Sequence, residues 1–406
     1  MSTKRGPAES SSSSRKAVFF SRHKQWMAAT TLIGTIIGAG ILALPYVLAK
    51  AGFLYGLIAL IIFGIIFLYL NLFIGEIVLR TKKQYQLTGY AEKYLGVWGK
   101  RLMTFSFIFG IYGALIAYTI GEGQALHAIF KMGSPLLWSL IFFAVALFIV
   151  HKGVATTGKI ELVLVTLLIG VIFLIGVLSF DRIQLGHLST RNLLYFFFPY
   201  GALLFAYSGG ASVPEMQEVL GKDKKLLKKA IIWGTLIPII VYVLFSAVVL
   251  GIVGLEHFEA LQPNERIATV ALSFYASPFL GTLANIVAVL TMSTSFLTLS
   301  LALLGMYTYD YAFSRWKASL LTFLIPFLIA FFNLTDFIRV IDTSGTVAVG
   351  LVGILIVLMY WKAKQQGERT PEYALPKYSF FGVLLIVMFS LGILYELWQI
   401  FKFLLI

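Results

Sequence analysis

The chain has 406 residues, of which 59% are hydrophobic and only 12% charged, and its mean hydropathy is +0.89. Soluble domains carry about 25% charged residues, so this composition excludes a soluble globular protein and indicates a lipid bilayer. The absence of cysteine excludes disulfides, thiolate chemistry and cysteine-ligated metals. The five histidines show no metal-ligand spacing, and we therefore expect no metal and no other cofactor.

Long apolar runs predict an all-α, polytopic membrane protein. Runs of about 17 to 30 residues are long enough to cross a bilayer as helices. We identify about eleven such spans. They lie near residues 25 to 49, 53 to 79, 102 to 128, 135 to 150, 160 to 180, 193 to 219, 230 to 254, 278 to 307, 318 to 332, 340 to 361 and 379 to 401.

The formal net charge of +14 is explained by topology. If the N-terminus is cytoplasmic, 25 of the 32 lysines and arginines fall in cytoplasmic segments. This positive-inside bias predicts a multi-pass protein of the cell membrane. Because the number of spans is odd, we expect the N-terminus to be cytoplasmic and the C-terminus extracytoplasmic. The basic residues thus need no nucleic-acid partner, and nothing in the sequence points to an obligate protein partner.

The segments outside the spans are short. Residues 1 to 22 contain a serine run between basic residues, are too polar to pack, and are predicted to be a disordered cytoplasmic N-terminus. Residues 23 to 406 form a single transmembrane domain. We expect a short interfacial helix in the connector from Arg80 to Arg101 and a helical lid over the outer segment from Glu256 to Ala271.

Two spans contain clusters that break helices. The first span has glycines at 34, 38 and 40 followed by Pro45, and the sixth has Gly209 and Gly210 followed by Pro214. Glycine permits unusual backbone angles and proline removes an amide donor, so each cluster can unwind its helix. Such backbone is tolerated in a membrane where it lines a cavity. A single cluster of this kind more often serves close helix packing, but the matched pair favours a binding site.

The matched positions predict two inverted repeats of five helices, a 5+5 arrangement in which helices 1 and 6 are broken. The first repeat covers residues 25 to 180, the second covers 193 to 361, and an additional eleventh helix covers 379 to 401. In this arrangement, the two broken helices meet near the middle of the membrane.

The predicted breaks suit a zwitterion. The half-helix N-terminus in the first span exposes amides of Ala39, Gly40 and Ile41, which favour a carboxylate. The facing half-helix C-terminus exposes carbonyls near Phe205, Ala206, Tyr207 and Ser208, which favour an ammonium group. One site therefore offers donors on one wall and acceptors on the other, as an α-amino acid requires.

The residues from Gly38 to Pro45, GAGILALP, followed by Ala51-Gly52-Phe53, resemble the first helix of the amino acid-polyamine-organocation superfamily. Val213-Pro214, the run from Gly221 to Leu236 and the segment from Ser293 to Leu297 are similar to its aromatic and hydroxy amino acid permease branch and to amino acid-auxin permeases. The resemblance covers nearly the whole chain. It implies the LeuT-type fold and a permease that carries amino acids by secondary active transport and alternating access.

By position, the resemblance places the substrate carboxylate on Ala39 and Gly40 and the amine on Ala206 and Ser208. The wider predicted substrate site consists of Ile37, Gly38, Ala39, Gly40, Ile41, Tyr112, Ile116, Phe205, Ala206, Tyr207 and Ser208. Tyr112, Ile116 and Thr119 enter the prediction by helical periodicity alone, because they share one face of the third span.

The coupling ion is left open between a proton and sodium. The nearest-looking branch favours a proton, and Glu122 is our candidate because a carboxylate at membrane depth is costly to retain. A sodium site would use carbonyls of Gly34 and Ile37 and hydroxyls of Thr294 and Ser295, as the resemblance implies. We expect proton-coupled uptake of aromatic or other neutral amino acids. The alternatives are sodium-coupled symport of neutral amino acids and a transporter-like sensor; no enzymatic constellation is present.

Overall fold

The structure, a computed structural model, describes residues 24–152, 167, 170–171, 173–178, 180–310 and 313–404. The predicted N-terminal segment, residues 1 to 22, and most of the predicted fifth span lie outside the described residues. Every regular element within the described residues is helical, as predicted. Six helices and one bent pair are long and apolar enough to cross a membrane, so the chain is a multi-pass membrane protein.

We number the principal helices in chain order. They are α1 (Lys24–Ile36), α2 (Gly40–Ala51), α3 (Phe53–Arg80), α4 (Leu87–Phe130), α5 (Pro135–Lys152), α6 (Tyr200–Ala206), α7 (Val213–Leu220), α8 (Leu227–Ala260), α9 (Ala268–Tyr275), α10 (Pro278–Gly305), α11 (Arg315–Phe331), α12 (Phe337–Ser344), α13 (Gly350–Gln366) and α14 (Ser379–Leu404). One π-helical turn, Gly345–Val349, joins α12 to α13, and another, Met306–Asp310, follows α10.

The first span is broken where the sequence predicted. The axes of α1 and α2 differ by 58°, and residues 37 to 39 between them are not helical. The sixth span is also broken: α6 ends at Ala206, a short 3-10 turn covers Gly210–Ser212, and α7 follows. Pro214 lies in the first turn of α7, where its missing amide hydrogen costs no helical hydrogen bond.

Two other helices carry bends at positive-φ glycines. Gly96 has φ 74° and separates the residues from Leu87 onward, which include the predicted interfacial helix, from the third span. Gly254 has φ 75° and ends the membrane-spanning part of α8, after which the outer segment continues as the last turns of α8, a 3-10 turn at Pro263–Arg266 and α9. The expected helical lid is therefore built from several short helical pieces.

The sixth-span prediction began too early. Residues 193 to 195 form a 3-10 turn, and α6 begins only at Tyr200, because Pro199 precedes it and Asn192 to Phe198 turn back on themselves through local hydrogen bonds. The apolar character of this stretch is real, but apolarity alone does not distinguish a membrane helix from a turn that packs against one.

The tenth span, formed by α12, the π-helical turn and α13, packs closely on both broken and unbroken neighbours. A Cβ on Gly345 would clash with the carbonyl oxygen of Gly201 in α6, and a Cβ on Gly113 of α4 would clash with Ser344. Small residues thus allow α6, α4 and the tenth span to approach at backbone distance, as in other membrane helix interfaces.

A buried carboxylate fixes the predicted cytoplasmic ends of three elements. Glu76 of α3 is fully buried and accepts hydrogen bonds from Arg80 at 2.8 Å, from Lys364 of α13 at 2.8 Å and from the Leu375 amide at 2.7 Å. Glu76 thus forms ion pairs both within its own helix, with Arg80, and with Lys364 of α13. Nearby, the Lys93 ammonium holds the pKa of Glu368, in the connector before α14, below its ordinary value.

Replacing Glu76 with Gln should destabilise the protein by about 3 kcal/mol or more, because two cations would remain partly buried without their anion. The measurement is thermal unfolding of the purified protein in detergent. Glu92→Gln is the matched control, since Glu92 pairs with Lys100 at 2.9 Å but both side chains are about half exposed and such pairs contribute little. Equal, small shifts in the two variants would contradict this account of Glu76.

Candidate functional site

The two helix breaks meet in the structure. A Cβ added to Gly40, the first residue of α2, would lie only 2.7 Å from the Cα of Ala206, the last residue of α6. Only glycine permits this approach, because any side chain would overlap the facing backbone. The contact brings the N-terminus of one half-helix beside the C-terminus of the other, so the predicted donor and acceptor walls are neighbours.

The donor wall is the uncapped N-terminus of α2. The amides of Ala39 and Gly40 have no hydrogen-bond acceptor within the described part of the chain, and no side chain caps this helix. The Ile41 amide, by contrast, reaches the Gly38 carbonyl at 3.3 Å. Two free amides at a helix N-terminus carry positive partial charge, and a carboxylate would satisfy both.

The Phe205 and Ala206 carbonyls of the acceptor wall already accept hydrogen bonds from groups of the protein itself. The Phe205 carbonyl accepts hydrogen bonds from the Ser208 amide at 3.1 Å and from the Ser208 hydroxyl at 2.7 Å. The Ala206 carbonyl accepts one from the Tyr242 hydroxyl at 2.8 Å. An ammonium group that reached this wall would therefore compete with protein donors, in contrast to a carboxylate at the donor wall.

Tyr242 on α8 is a site residue that sequence reasoning missed. Its side chain is fully buried, and its hydroxyl lies 2.7 Å from the Ile36 carbonyl and 2.8 Å from the Ala206 carbonyl, one from each break. A signal was available: a tyrosine in the middle of an apolar span needs a hydrogen-bond partner for its hydroxyl. The sequence could not show which partner it would find.

The third span contributes through a different face from the one predicted by periodicity. Tyr118 is the residue near the first break, because a Cβ on Gly38 would lie 3.9 Å from its hydroxyl. Tyr112 instead donates its hydroxyl hydrogen to the Leu321 carbonyl at 2.5 Å and lies 3.2 Å from the Tyr307 hydroxyl. Ile116 is buried in the core.

Several other predicted residues have defined surroundings. Ile37 and Ala39 are buried within the first break, and Ile41 is buried in the first turn of α2. Tyr207 is fully buried, donates its hydroxyl hydrogen to the Leu60 carbonyl at 3.1 Å and stacks on Phe67. The Tyr207 hydroxyl thus faces α3, while its backbone forms part of the sixth-span break.

Glu122 is completely buried on α4, and its Oε1 accepts a hydrogen bond from the Ser293 hydroxyl at 2.7 Å. Its Oε2 has no hydrogen-bond partner among the described residues. Glu122 follows Tyr118 by four residues, so both side chains lie on the same face of α4. A carboxyl group with a bare oxygen therefore lies about one helical turn from the residue that approaches the first break.

The residues of the predicted sodium site are distributed over α1, the first break and α10. Gly34 and Ile37 are buried, and no atom would lie within 4 Å of a Cβ on Gly34. Ser295 is buried on α10, and the Thr294 side chain lies outside the described residues. The neighbouring hydroxyl, that of Ser293, is already committed to Glu122.

A pocket of about 240 Å³, which we call the vestibule, lies between α2, α12 and the segment around Arg266. Tyr46 of α2, Arg266 of the outer segment and Asp342 of α12 contribute to its lining. Arg266 donates to the Tyr46 hydroxyl at 3.1 Å and to the Phe258 carbonyl at 3.1 Å, which holds the outer segment over α2. Asp342 accepts a hydrogen bond from the Ala202 amide at 3.1 Å, which connects the lining of the vestibule to α6.

A multi-pass helical protein in which two broken spans meet at paired donor and acceptor walls is, by architecture, a membrane transport protein. The chain belongs to the tryptophan/tyrosine permease family, whose family model matches residues 21–399. The protein is accordingly a transporter and not an enzyme.

Curated relatives support this membership over most of their length. The chain is 27% identical over 369 residues to the tyrosine-specific transport system 2 of Haemophilus influenzae, covering 86% of this chain and 90% of that protein. It is 24% identical over 364 residues to glutamine transporter 2 of Aliivibrio fischeri, with coverages of 86% and 92%. It is 25% identical over 389 residues to the tryptophan-specific transport protein of Shigella flexneri, with coverages of 88% and 91%.

Solved structures share the fold. The crystal structure of MhsT in complex with L-phenylalanine has a TM-score of 0.65 at 16% identity, covering 93% of this chain and 98% of that one. A manganese transporter from Eremococcus coleocola has a TM-score of 0.61 at 14% identity, with coverages of 98% and 88%. At these identities the likeness is one of fold alone, and the fold is the LeuT type.

Replacing Gly40 with Ala should lower transport activity at least about tenfold, because the new methyl group would push α2 and α6 apart at their contact. Uptake of radiolabelled substrate into proteoliposomes provides the measurement. Gly186→Ala is the control, since it adds the same methyl group at a position outside the site where no atom lies within 4 Å. Near-normal uptake by the Gly40 variant would show that the close approach is dispensable.

Proposed function

We propose that the protein is a secondary active transporter of aromatic and other neutral amino acids that operates by alternating access at the two helix breaks. The observation that carries the proposal is the pair of free amides at Ala39 and Gly40 beside the carbonyls of Phe205 and Ala206. Tyrosine and tryptophan specificity among the named relatives supports an aromatic substrate. The glutamine transporter among them supports the wider class of neutral amino acids.

Backbone recognition explains how an amino acid could be held without a charged side chain. The carboxylate takes the Ala39 and Gly40 amides, and the ammonium group takes carbonyls at the end of α6. No lysine or arginine is required at bilayer depth, where a charge is costly. Gly38, Ile37, Ile41, Tyr207 and Ser208 complete the proposed walls around this backbone core.

We further propose that uptake is coupled to protons through Glu122. Its Oε2 has no partner and its Oε1 has one neutral donor, so a proton on this buried carboxyl group removes an otherwise poorly compensated charge. Its place one turn from Tyr118 gives protonation a short route to the first break. Sodium coupling through Gly34, Ile37, Thr294 and Ser295 is the second candidate, and it rests on the resemblance.

The proposed orientation has the N-terminus in the cytoplasm and the C-terminus outside, from the distribution of lysine and arginine. In that orientation the vestibule of Tyr46, Arg266 and Asp342 opens to the outside, and the Glu76 cluster lies at the cytoplasmic surface. A substrate that enters the vestibule needs to move only along α2, from Tyr46 to Gly40, which is six residues or about 9 Å. The proposed unit acts without an obligate protein partner.

Thermal stability of the purified protein should rise in the presence of tyrosine, tryptophan or phenylalanine, because a ligand that binds only the folded state stabilises it. The measurement is a thermal-shift screen against the twenty proteinogenic amino acids, with and without sodium. D-enantiomers of the stabilising amino acids serve as controls, since with carboxylate and ammonium group held at the two walls, a D-amino acid directs its side chain away from the place that the L-side chain occupies. A uniform lack of response to all twenty would refute the proposal.

Glu122→Gln should abolish uptake driven by an imposed pH gradient while leaving exchange of bound substrate intact, because glutamine keeps the shape but cannot release a proton. Proteoliposomes that contain the variant are assayed for gradient-driven accumulation and for counterflow. Glu256→Gln, at an exposed position in the last turns of α8, is the control. If the Glu122 variant still accumulates substrate when a pH gradient is imposed, the residue has no part in coupling. Accumulation that depends on a sodium gradient would favour the second candidate.

A further inference from the structure

The hydroxyl group of Tyr242 has one hydrogen and two acceptors. The Ile36 carbonyl lies at 2.7 Å and the Ala206 carbonyl at 2.8 Å, and the tyrosine is fully buried. At any moment, the single hydrogen can point at only one of these carbonyls with good geometry, so the two share it. The Ile36 carbonyl also accepts the Gly38 amide at 2.9 Å, whereas Tyr242 is the sole donor to Ala206 in the described part of the chain.

Both carbonyls that the Tyr242 hydroxyl contacts belong to the C-terminal ends of helices. Ile36 is the last residue of α1, and Ala206 is the last residue of α6. Both are helix C-termini, where backbone carbonyls carry negative partial charge. Two negative helix ends thus converge on one hydroxyl group held by α8, which is continuous from Leu227 to the bend at Gly254. Three oxygen atoms together form a cluster with a deficit of hydrogen-bond donors.

We propose that Tyr242 is a positioning residue that holds the last turns of α1 and α6 together before substrate binds, and that the substrate's ammonium group joins this oxygen cluster when it binds. The inference rests on the proposed function for its second part only. An ammonium group brings three hydrogens to the Ile36 carbonyl, the Ala206 carbonyl and the Tyr242 oxygen. The Tyr242 hydroxyl keeps its hydrogen on one of the two carbonyls, and its oxygen accepts a hydrogen bond from the ammonium group.

The contact between the Tyr242 hydroxyl and the Ile36 carbonyl also tethers the C-terminal end of α1 to α8. At its other end, α1 is tied by an ion pair between Lys24 and Asp223 at 3.1 Å, in which both side chains are more than 40% exposed. Exposed pairs of this kind contribute little. The buried hydroxyl contact at Ile36 is therefore the stronger of the two polar tethers, and its loss should let α1 separate from its neighbours more often.

The first test measures the coupling between the Tyr242 hydroxyl and the substrate amine. Affinities of wild-type protein and Tyr242→Phe are compared for L-tyrosine against 3-(4-hydroxyphenyl)propanoate and for L-tryptophan against indole-3-propanoate, which lack the amine. The preference for the amine-bearing ligand should fall about tenfold in the variant, because a hydrogen bond to a charged donor is lost. If Tyr242 has only a structural role, the variant should bind both kinds of ligand more weakly by the same factor. That result would overturn the assignment of the amine to this cluster.

Tyr360→Phe is the matched control. The Tyr360 side chain is also buried, and its hydroxyl also faces two backbone carbonyls, those of Pro376 at 2.9 Å and Leu375 at 3.4 Å, but it lies in the Glu76 region, far along the chain from both breaks. This variant loses a comparable hydrogen bond and should keep the wild-type preference for the amine. A similar loss of preference in Tyr360→Phe would also count against the proposal.

The second test needs no substrate. The chain has no native cysteine, so Ala29→Cys places a single thiol at a fully buried position on α1. In the Tyr242→Phe background this thiol should react with a membrane-permeant maleimide several-fold faster than in the Tyr360→Phe background. Equal rates would overturn the tether. Faster labelling in a protein that binds no amino acid would refute the proposed function and leave the tether standing.

Discussion

A backbone group that is freed inside a membrane must find a partner, and the breaks in the first and sixth spans free several at once. In the structure, the freed carbonyls at the end of α6 have hydrogen-bond donors, but two of the freed amides have no acceptor among the described residues. Carbonyls at the end of α6 are satisfied by Ser208 and Tyr242, while the amides of Ala39 and Gly40 at the start of α2 have no acceptor. The site therefore offers two free amides to a carboxylate, whereas an ammonium group has to rearrange donors that are already in place.

Because the donor wall has free amides and the Phe205 and Ala206 carbonyls of the acceptor wall already accept hydrogen bonds, the two walls would act differently when a substrate binds. A donor wall without internal partners attracts the anionic end of a ligand at little cost. Tyr242 of α8 contacts carbonyls of both α1 and α6, and in our proposal this contact lasts until the substrate's ammonium group binds. Ligand binding at such a wall necessarily changes the contacts between helices, which is how a ligand acquires a differential effect on two conformations.

Around the two breaks, the neighbouring helices are held together by close backbone contacts and by a buried ion-pair cluster. Glycine contacts between Gly40 and Ala206, and between Gly345 and Gly201, bring backbones together without intervening side chains. The Glu76 cluster fixes α3, α13 and the connector before α14.

The sequence by itself determined the helical membrane class and the positions of both breaks, because glycine, proline and apolar length act locally. It also singled out Glu122, since a carboxyl group in an apolar span is conspicuous. Only the tertiary structure decided that Tyr118, and not Tyr112, approaches the first break, and that Tyr242 joins the two breaks. Helical periodicity defines a face but not its neighbour, and a hydroxyl group finds its partner across helices that are distant in sequence.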